Sequence, residues 1–392
     1  GLRSRLFNIE AMEFEKALPM YAHKKEFLDL LQKKQALVLK GGTGIGKTFT
    51  VPQFVYDQYL TEHFEIENGG KASNKRVAIL VPRKAIAEGL AKYICLVRHV
   101  KLGDEVGVGT GDKVKFSDKS RLVFMTYGFF KCITSSEKDF ATWGVVILDE
   151  AHERNPDADF LLSRMALACN KRPEFKAIVM SATIDVKIFA ETITQGIING
   201  EAVDGVPSSS RSATGAQSDD DYKGTFECPV IVVPGVTFPV EDIWWSHDAP
   251  WDSDADNALD SLALEVVRIF TQEGAGNLLC FLPTINDVKE AVEKASEHMK
   301  HDKSTMVLPL YASLGDFEED EVVNFSDLHP GKRLICFSTN VAEAGITIPG
   351  ITAVVETGRE ITTEYDVASR IELHSKSWIS KASQIQRRGR AG

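Results

Sequence analysis

The stretch Val38-Leu39-Lys40-Gly41-Gly42-Thr43-Gly44-Ile45-Gly46-Lys47-Thr48 decides how the rest of this chain is interpreted. From Gly41 to Thr48 it fits the phosphate-binding pattern G-x-x-x-x-G-K-[ST]. An apolar run at residues 36–39 predicts a buried strand before the loop, and apolar residues at helical spacing in residues 49–64 predict a helix after it. Because this context is the one the pattern requires, we expect a nucleotide site rather than a turn that binds nothing.

The residue types in this loop have separate tasks. Glycines let backbone N–H groups point at phosphate oxygens with no Cβ in the way. Lys47 brings a positive charge to the β- and γ-phosphates, and Thr48 offers a hydroxyl to Mg²⁺ at the positive end of the following helix. The predicted substrate is ATP or another NTP, and the predicted cofactor is Mg²⁺. The predicted nucleotide-binding residues of the loop are Gly41, Thr43, Gly44, Gly46, Lys47 and Thr48.

Composition excludes several protein classes. The chain has 392 residues, 43% hydrophobic and 26% charged, which is typical of a globular protein with two or three domains. No apolar run approaches the length of a membrane span, and no signal peptide pattern is present. The six cysteines are widely spaced, which predicts reduced thiols in an intracellular protein and not a zinc site. A net charge of −11 speaks against general affinity for nucleic acid but allows a locally basic channel.

Buried apolar runs alternate with helical patterns along most of the chain. This rhythm predicts an α/β fold of two tandem domains, each a parallel sheet with helices on both faces, and a cleft between them. We predict residues 1–236 as the first, nucleotide-binding domain and residues 237–392 as the second. The predicted strands lie at residues 36–39, 77–82, 122–125, 145–148, 177–180, 230–233, 277–282, 306–310, 333–337 and 351–355.

Residues 199–225 differ in kind from their surroundings. They are rich in Gly, Ser and Asp and contain almost no large apolar side chains. Such a segment buries too little surface to offset its ordering entropy, so we expect a flexible surface insertion. An acidic docking segment is the alternative.

Asp149-Glu150-Ala151-His152 follows the predicted strand at residues 145–148. Acidic residues at the carboxyl end of a strand lie where an open α/β sheet binds its ligands. Asp149 can bind the nucleotide by holding Mg²⁺ through water, and Glu150 can polarise the attacking water in phosphoryl transfer. The predicted metal site therefore consists of Thr48, Asp149 and Glu150.

The motifs taken together resemble the superfamily 2 helicases, and the DEAH-box branch in particular. The phosphate loop, D-E-A-H at residues 149–152, S-A-T at residues 181–183 and Q-R-R-G-R-A-G at residues 386–392 occur in the order of that family. Further agreement lies at residues 51–53, 82–84, 126–128, 234–240, 338–343 and 379–383. The resemblance implies two RecA-like domains and an NTP-dependent RNA helicase.

The resemblance also implies roles for individual residues. The catalytic residues would be Glu150, His152, Gln386 and Arg390, the last acting as an arginine finger on the γ-phosphate. Arg387 would bind the nucleotide, and Ser181 and Thr183 would couple the nucleotide to strand binding. Arg83, Thr126 and Thr339 match positions that contact the phosphate backbone of a single strand. Residues 358–377 correspond to a β-hairpin near the duplex junction.

Some motifs depart from that branch. Residues 81–85 and 281–286 replace its usual motifs, and residues 343–349 and 386–390 are closer to helicases of positive-strand RNA virus polyproteins (pestivirus-like). This implies a cytoplasmic protein if the origin is viral, and a cytoplasmic or nuclear one otherwise. The family's later domains are missing, and its last motif normally closes with an arginine after Gly392. We therefore expect slow hydrolysis that an extension by an arginine and a few native residues restores.

Three functions are compatible with these motifs. The first is a helicase that moves along single-stranded RNA, or along the overhang of an RNA duplex, with possible protein regulators. The second is an NTP-driven remodeller of ribonucleoproteins that separates little duplex. The third is a catalytically weak RNA-binding module, which intact Lys47, Glu150 and Gln386 disfavour.

Overall fold

The computed structural model describes residues 15–42, 44–60, 76–182, 186–199, 228–235, 239–245, 258–273, 276–343, 348–366 and 370–391. The chain divides into two compact units, residues 1–236 and 237–392, which are described separately. The predicted insertion at residues 199–225 lies outside the described residues except for the helix end at Asn199. Thr43 and Thr183 also lie outside them.

An eight-stranded sheet organises the first unit. Its order is β4-β3-β5-β2-β6-β7-β1-β8, and every neighbouring pair is parallel except β3 with β4. The strands are β1 (Ala36–Lys40), β2 (Arg76–Val81), β3 (Val106–Gly109), β4 (Val114–Lys115), β5 (Leu122–Thr126), β6 (Trp143–Leu148), β7 (Lys176–Ser181) and β8 (Val230–Val232). The helices are α1 (Pro19–Ala22), α2 (Lys24–Lys33), α3 (Lys47–Phe54), α4 (Lys84–Arg98), α5 (Tyr127–Ile133), α6 (Pro156–Lys171) and α7 (Lys187–Asn199).

Alternate residues of the central strands enter two separate cores. Leu37 and Leu39 of β1 pack with α2, α3 and α4 on one face, whereas Ala36 and Val38 pack with α6 and α7 on the other. Side chains of a strand point alternately to opposite faces, so both faces of this sheet are covered by helices. This confirms the predicted parallel α/β layer and explains why its strands appear in the sequence as continuous apolar runs.

The second unit has a smaller sheet of the same kind. Its order is β10-β11-β9-β12 and all its pairs are parallel. The strands are β9 (Asn277–Phe281), β10 (Thr305–Leu310), β11 (Arg333–Ser338) and β12 (Ile351–Glu356). The helices are α8 (Ala258–Glu273), α9 (Ile285–Met299), α10 (Asp316–Val323), α11 (Phe325–Leu328) and α12 (Lys381–Arg388). An antiparallel hairpin, β13 (Arg359–Asp366) with β14 (Ile371–Trp378), lies between β12 and α12, where the family resemblance implies one.

Two strands were missed by the sequence analysis. β3 has the sequence Val-Gly-Val-Gly, and glycines are depleted in strands because they bring no side chain to pack. Here they are required by close neighbours. A Cβ on Gly107 would lie 2.4 Å from a side-chain atom of Phe116, and one on Gly109 would lie 2.5 Å from Phe129.

Among the described residues, no helix is both long and apolar enough to cross a membrane.

Candidate active site

The loop between β1 and α3 has the backbone of a phosphate cradle. Gly44 and Gly46 have φ values of +81° and +86°, which L-residues with a Cβ rarely adopt. Gly46 is the N-cap of α3, so the first amides of that helix face the loop. Gly41 donates its N–H to the carbonyl of Ser181 at 3.0 Å, which ties the start of the loop to the end of β7. The loop is therefore held at both ends, by β7 at Gly41 and by α3 at Gly46.

Lys47 is folded back onto this loop. Its Nζ donates to the carbonyl oxygens of Gly41 at 2.6 Å and Gly42 at 3.0 Å, and the residue is 5% exposed. Buried charges are expensive unless they are hydrogen-bonded, and these two carbonyls meet that requirement. The result is a positive charge held beside the amides that would receive a phosphate.

Thr48 and Asp149 bring a hydroxyl and a carboxylate together. Thr48 Oγ1 donates to Asp149 Oδ2, and the N–H of Glu150 donates to Asp149 Oδ1 at 2.9 Å. Burial raises the pKa of Asp149 above its usual range, the charge of Glu150 adds to this, and Lys47 and Thr48 oppose it. A cation would relieve this crowding of negative charge.

These oxygen donors fit Mg²⁺. It prefers hard oxygen ligands and keeps several waters, so one hydroxyl and one or two carboxylates are enough when a phosphate supplies the rest. Among the described residues there is no cluster of three or more His, Cys, Asp or Glu side chains that would form an all-protein cage. Thr48 and Asp149 are thus the residues that would hold the ion together with a bound triphosphate, and Glu150 stands next to them.

Glu150 has an unusual backbone and an unused oxygen. Its φ of +51° places a β-unbranched but bulky residue in the left-handed region, at the N-cap of the short 3₁₀ helix Ala151–Glu153. Such strain costs roughly 1–3 kcal/mol and is concentrated at functional sites. Its Oε2 is buried and accepts no hydrogen bond from the described residues. This oxygen therefore keeps its capacity to accept a hydrogen bond from a ligand or water.

His152 connects the acidic motif to the segment after β7. Its Nδ1 accepts the N–H of Ala182 at 3.3 Å and lies 3.4 Å from Glu150 Oε2. A ring nitrogen that accepts cannot donate at the same time, so this bond leaves Glu150 Oε2 unpaired while fixing the ring beside it. The acidic motif and the Ser181-Ala182 segment thus share one contact, as a coupling role for Ser181 requires. That coupling role stays a prediction.

Tyr127 completes the support of this site, and the sequence analysis gave it no role. Its hydroxyl donates to the backbone carbonyl of Asp149, and its side chain is buried. It therefore holds the end of β6 from the neighbouring element α5. Its position in the Thr126-Tyr127-Gly128 motif was the available signal.

Arg83 and Thr126 end adjacent strands. Val81 pairs with Thr126 in the β2–β5 register, and Arg83 follows two residues after Val81. Both residues are half-buried N-caps, of α4 and α5, and neither side chain caps its helix. The structure thus brings these two predicted strand contacts to one edge of the first sheet.

In the second unit, Thr339 lines a cavity of about 490 Å³. Residues 282–286, which depart from the family's usual motif, form another wall, and Glu360 and Ile361 of the hairpin form a third. The backbone N–H of Thr339 donates to Leu310 at 3.1 Å, which holds this segment to the end of β10. Its lining combines hydroxyl, amide and carboxylate groups with apolar side chains, and the RNA contact of Thr339 stays a prediction.

The three predicted residues of the last motif have different surroundings. Gln386 is buried at the C-terminal end of α12. Arg390 lies beyond that helix and donates from Nη2 to the carbonyl of Glu343 at 2.6 Å. Arg387 is buried and pairs with Glu343, Glu356 and Glu360.

This arrangement departs from the predicted nucleotide contact of Arg387. Its Nε, Nη1 and Nη2 all donate to carboxylates inside the second unit, so the guanidinium is committed to the protein. Gln386 and Arg390 keep their predicted roles as proposals.

Comparisons with known proteins agree with the fold and the motifs. A model of the DEAD/DEAH box helicases matches residues 21–191, and one of the helicase conserved C-terminal domain matches residues 258–392. The human "Probable ATP-dependent RNA helicase DHX34" is 29% identical over 381 residues, covering 96% of this chain and 29% of that protein. "DExH-box ATP-dependent RNA helicase DExH1" of Arabidopsis thaliana is 29% identical over 406 residues, covering 97% and 40% respectively.

A solved structure supports the same assignment. The DEAH/RHA helicase HrpB of Escherichia coli matches with a TM-score of 0.75 and 25% identity, covering 96% of this chain and 41% of that one. The chain spans less than half the length of each of these relatives. The match over both units confirms the predicted pair of RecA-like domains. On its motifs, its fold and these matches, the chain belongs to the DEAH/RHA helicases of superfamily 2.

Proposed function

We propose that this chain is the motor of an NTP-dependent RNA helicase or translocase, which couples NTP hydrolysis to movement along single-stranded RNA and to duplex unwinding. The observation that carries the proposal is the unpaired, buried Oε2 of Glu150, a residue that follows Asp149 in the chain and donates its N–H to the Asp149 carboxylate that Thr48 also contacts. A structural module would have no reason to keep a strained backbone and an unsatisfied carboxylate at this position.

Binding and chemistry use different groups of this site. The loop amides and Lys47 receive the β- and γ-phosphates, and incoming phosphate oxygens replace the carbonyls that Lys47 now contacts. Bound Mg²⁺, held by Thr48 and Asp149, would supply charge neutralisation of the phosphates. Glu150 Oε2 accepts a hydrogen bond from a water and polarises it for attack on the γ-phosphorus. A P–O bond to that water forms while the bond to the leaving diphosphate breaks.

Arg390 would stabilise the charge that develops on the transferred phosphoryl group. Arginine fingers of this kind contribute about 10³-fold or more to the rate. In this structure Arg390 is held by the Glu343 carbonyl, so its action on phosphate requires that it exchange this partner.

RNA binding is proposed at two edges of the chain. Arg83 and Thr126 in the first unit and Thr339 in the second would contact phosphate and sugar groups. Such contacts position a strand without reading its sequence. RNA as the polymer is supported by the relatives, which are named as RNA helicases. No described side chain singles out ATP from other NTPs, and those names favour ATP.

The test is the steady-state NTPase rate with and without single-stranded RNA, compared with DNA of the same length. Glu150→Gln should abolish the signal, which excludes a contaminating enzyme. A rate that no RNA or DNA changes would contradict the motor function. A duplex-unwinding assay in parallel separates a helicase from a remodeller, since the remodeller hydrolyses NTP but releases little strand.

Resemblance to viral helicases, and location in the cytoplasm or nucleus, stay predictions.

A further inference from the structure

Arg387 is surrounded by three carboxylates that come from three different segments. Nε lies 2.8 Å from Glu343, Nη1 lies 3.1 Å from Glu356, and Nη2 lies 3.3 Å from Glu360. The guanidinium carbon also lies 4.9 Å from the centre of the Phe281 ring. One buried side chain thus joins the segment after β11, the end of β12, the base of the hairpin and α12.

Two of these carboxylates belong to residues that also lie beside Arg390 or Thr339. Glu343 holds Arg387 with its carboxylate and holds Arg390 with its carbonyl oxygen. Glu360 holds Arg387 and also lines the cavity that contains Thr339. A ligand in that cavity therefore meets Glu360, which contacts Arg387. Arg387 in turn contacts Glu343, whose carbonyl holds Arg390.

The charges in this cluster are not balanced. Three carboxylates face one guanidinium, and burial raises the pKa of both Glu356 and Glu360. Each carboxylate ties Arg387 to a different segment, even though buried like charges repel one another. The excess acid is thus a reason to look for a second role.

We propose that Arg387 is a positioning residue that transmits occupancy of the Thr339 cavity, through Glu360 and Glu343, to the placement of Arg390. The proposal rests on the proposed function, in which Thr339 contacts the strand and Arg390 contacts phosphate. It assigns to Arg387 the coupling of these two events and no contact with the nucleotide.

Glu360→Gln is the sharpest test because it changes a charge and keeps the shape and a hydrogen-bond acceptor. Removing a negative charge beside a phosphate site should leave RNA affinity unchanged or tighten it. Stimulation of kcat by saturating RNA should nevertheless fall by at least about fivefold. Glu293→Gln, an exposed residue of α9, is the matched control. Arg387→Lys should act like Glu360→Gln, and Arg388→Lys on the next, more exposed residue should not.

Hydrogen exchange in the absence of nucleotide tests the connection without any activity. In Glu360→Gln, amides of residues 381–391 should exchange faster by about tenfold, while those of β9 stay unchanged. A merely structural defect would loosen β9 as well. Arg387→Lys combined with Glu360→Gln should be less than additive in the same measurement.

Two results would overturn the proposal. One is unchanged exchange of residues 381–391 in Glu360→Gln, and the other is full RNA stimulation in that variant. If the wild-type chain shows no hydrolysis at all, the proposed function fails. The exchange measurement then still decides whether Glu360 and α12 are connected.

Discussion

Replacement of Gly46 by alanine tests how the segment before the first sheet supports the phosphate loop. Gly44 is the internal reference, because both glycines have a positive φ but only one is crowded. An alanine in the left-handed region costs about 1–2 kcal/mol, of which roughly half is returned because alanine restricts the unfolded chain. Its chain neighbours aside, no described residue has an atom within 4 Å of a Cβ built on Gly44. Gly44→Ala should therefore lower the free energy of unfolding by only about 1 kcal/mol.

Gly46→Ala adds a steric conflict. Its Cβ would lie 2.6 Å from Leu18 Cδ1, 3.1 Å from Leu18 Cβ and 3.2 Å from Leu18 Cγ. Because three atoms of one side chain are close, rotation of its tip alone does not clear the contact. Overpacking of this kind typically costs about 1–3 kcal/mol, so the total should be about 2–4 kcal/mol. The bond from the N–H of Met20 to the carbonyl of Ile45, 3.1 Å, makes the segment resist displacement.

The assay is urea unfolding of the full chain followed by blue-shifted tryptophan emission. Trp143 is buried in the first unit, whereas Trp244, Trp245 and Trp378 of the second unit are 75%, 43% and 63% exposed, so a Trp143→Phe control identifies the part of the signal that reports on the first unit. Affinity for a fluorescent ATP analogue is measured on the same samples. Leu18→Ala combined with Gly46→Ala should cost less than the sum of the single changes by about 1 kcal/mol. Equal costs for Gly44→Ala and Gly46→Ala, or strict additivity with Leu18→Ala, would refute the reasoning.

Three further predictions concern the chemistry and the strand. Glu150→Gln should lower turnover by about 10²-fold or more and change nucleotide affinity little. Lys47→Ala should instead weaken nucleotide affinity itself. Equilibrium binding measures the affinity of each variant, and single-turnover hydrolysis measures its turnover. Arg83→Ala should reduce RNA stimulation and the salt dependence of RNA binding by about one counterion while sparing RNA-free turnover, as measured by titrations at several salt concentrations. Because burial raises the pKa of Glu360 above its ordinary 4.5, Glu360 contributes stability below that pH and loses it as the pH rises through the raised value. Wild type should thus lose thermal stability relative to Glu360→Gln as the pH rises above about 4.5, and parallel melting curves would exclude this.

Much of the fold was accessible from the sequence because the central strands are buried on both faces. A strand such as Ala36–Lys40 must be apolar at every position that meets a helix layer, so its run of residues stands out. β3 did not stand out because Phe116 and Phe129 occupy the space where its side chains would be. Side chains that lie 9 and 20 residues later in the chain made Gly107 and Gly109 necessary.

The site was accessible only in part. Lys47, Thr48, Asp149 and Glu150 follow from residue types at fixed spacing, and the structure brings Thr48 and Asp149 into contact across 101 residues. The left-handed backbone of Glu150 leaves no signature in the sequence, since glutamate is not a residue that this conformation favours. The support from Tyr127 was signalled only by its place in the Thr126-Tyr127-Gly128 motif, because it acts on a backbone carbonyl that no residue type specifies.

Arg387 and Arg390 show why a motif alone does not assign roles to its members. They are three residues apart, yet α12 ends at Arg388, so Arg387 is still helical and directed into the second unit while Arg390 lies past the helix end. What separates them chemically is the position of Glu343, Glu356 and Glu360, which lie 27 to 44 residues earlier in the chain. Every nitrogen of this guanidinium already donates to a carboxylate, so moving it to a phosphate would break buried pairs, and breaking one such pair costs about 3–5 kcal/mol. Arg390 bonds instead to a backbone carbonyl, a neutral acceptor that a phosphate can replace. The partners of the two arginines therefore support different proposed roles, a positioning role for Arg387 and a contact with the γ-phosphate for Arg390.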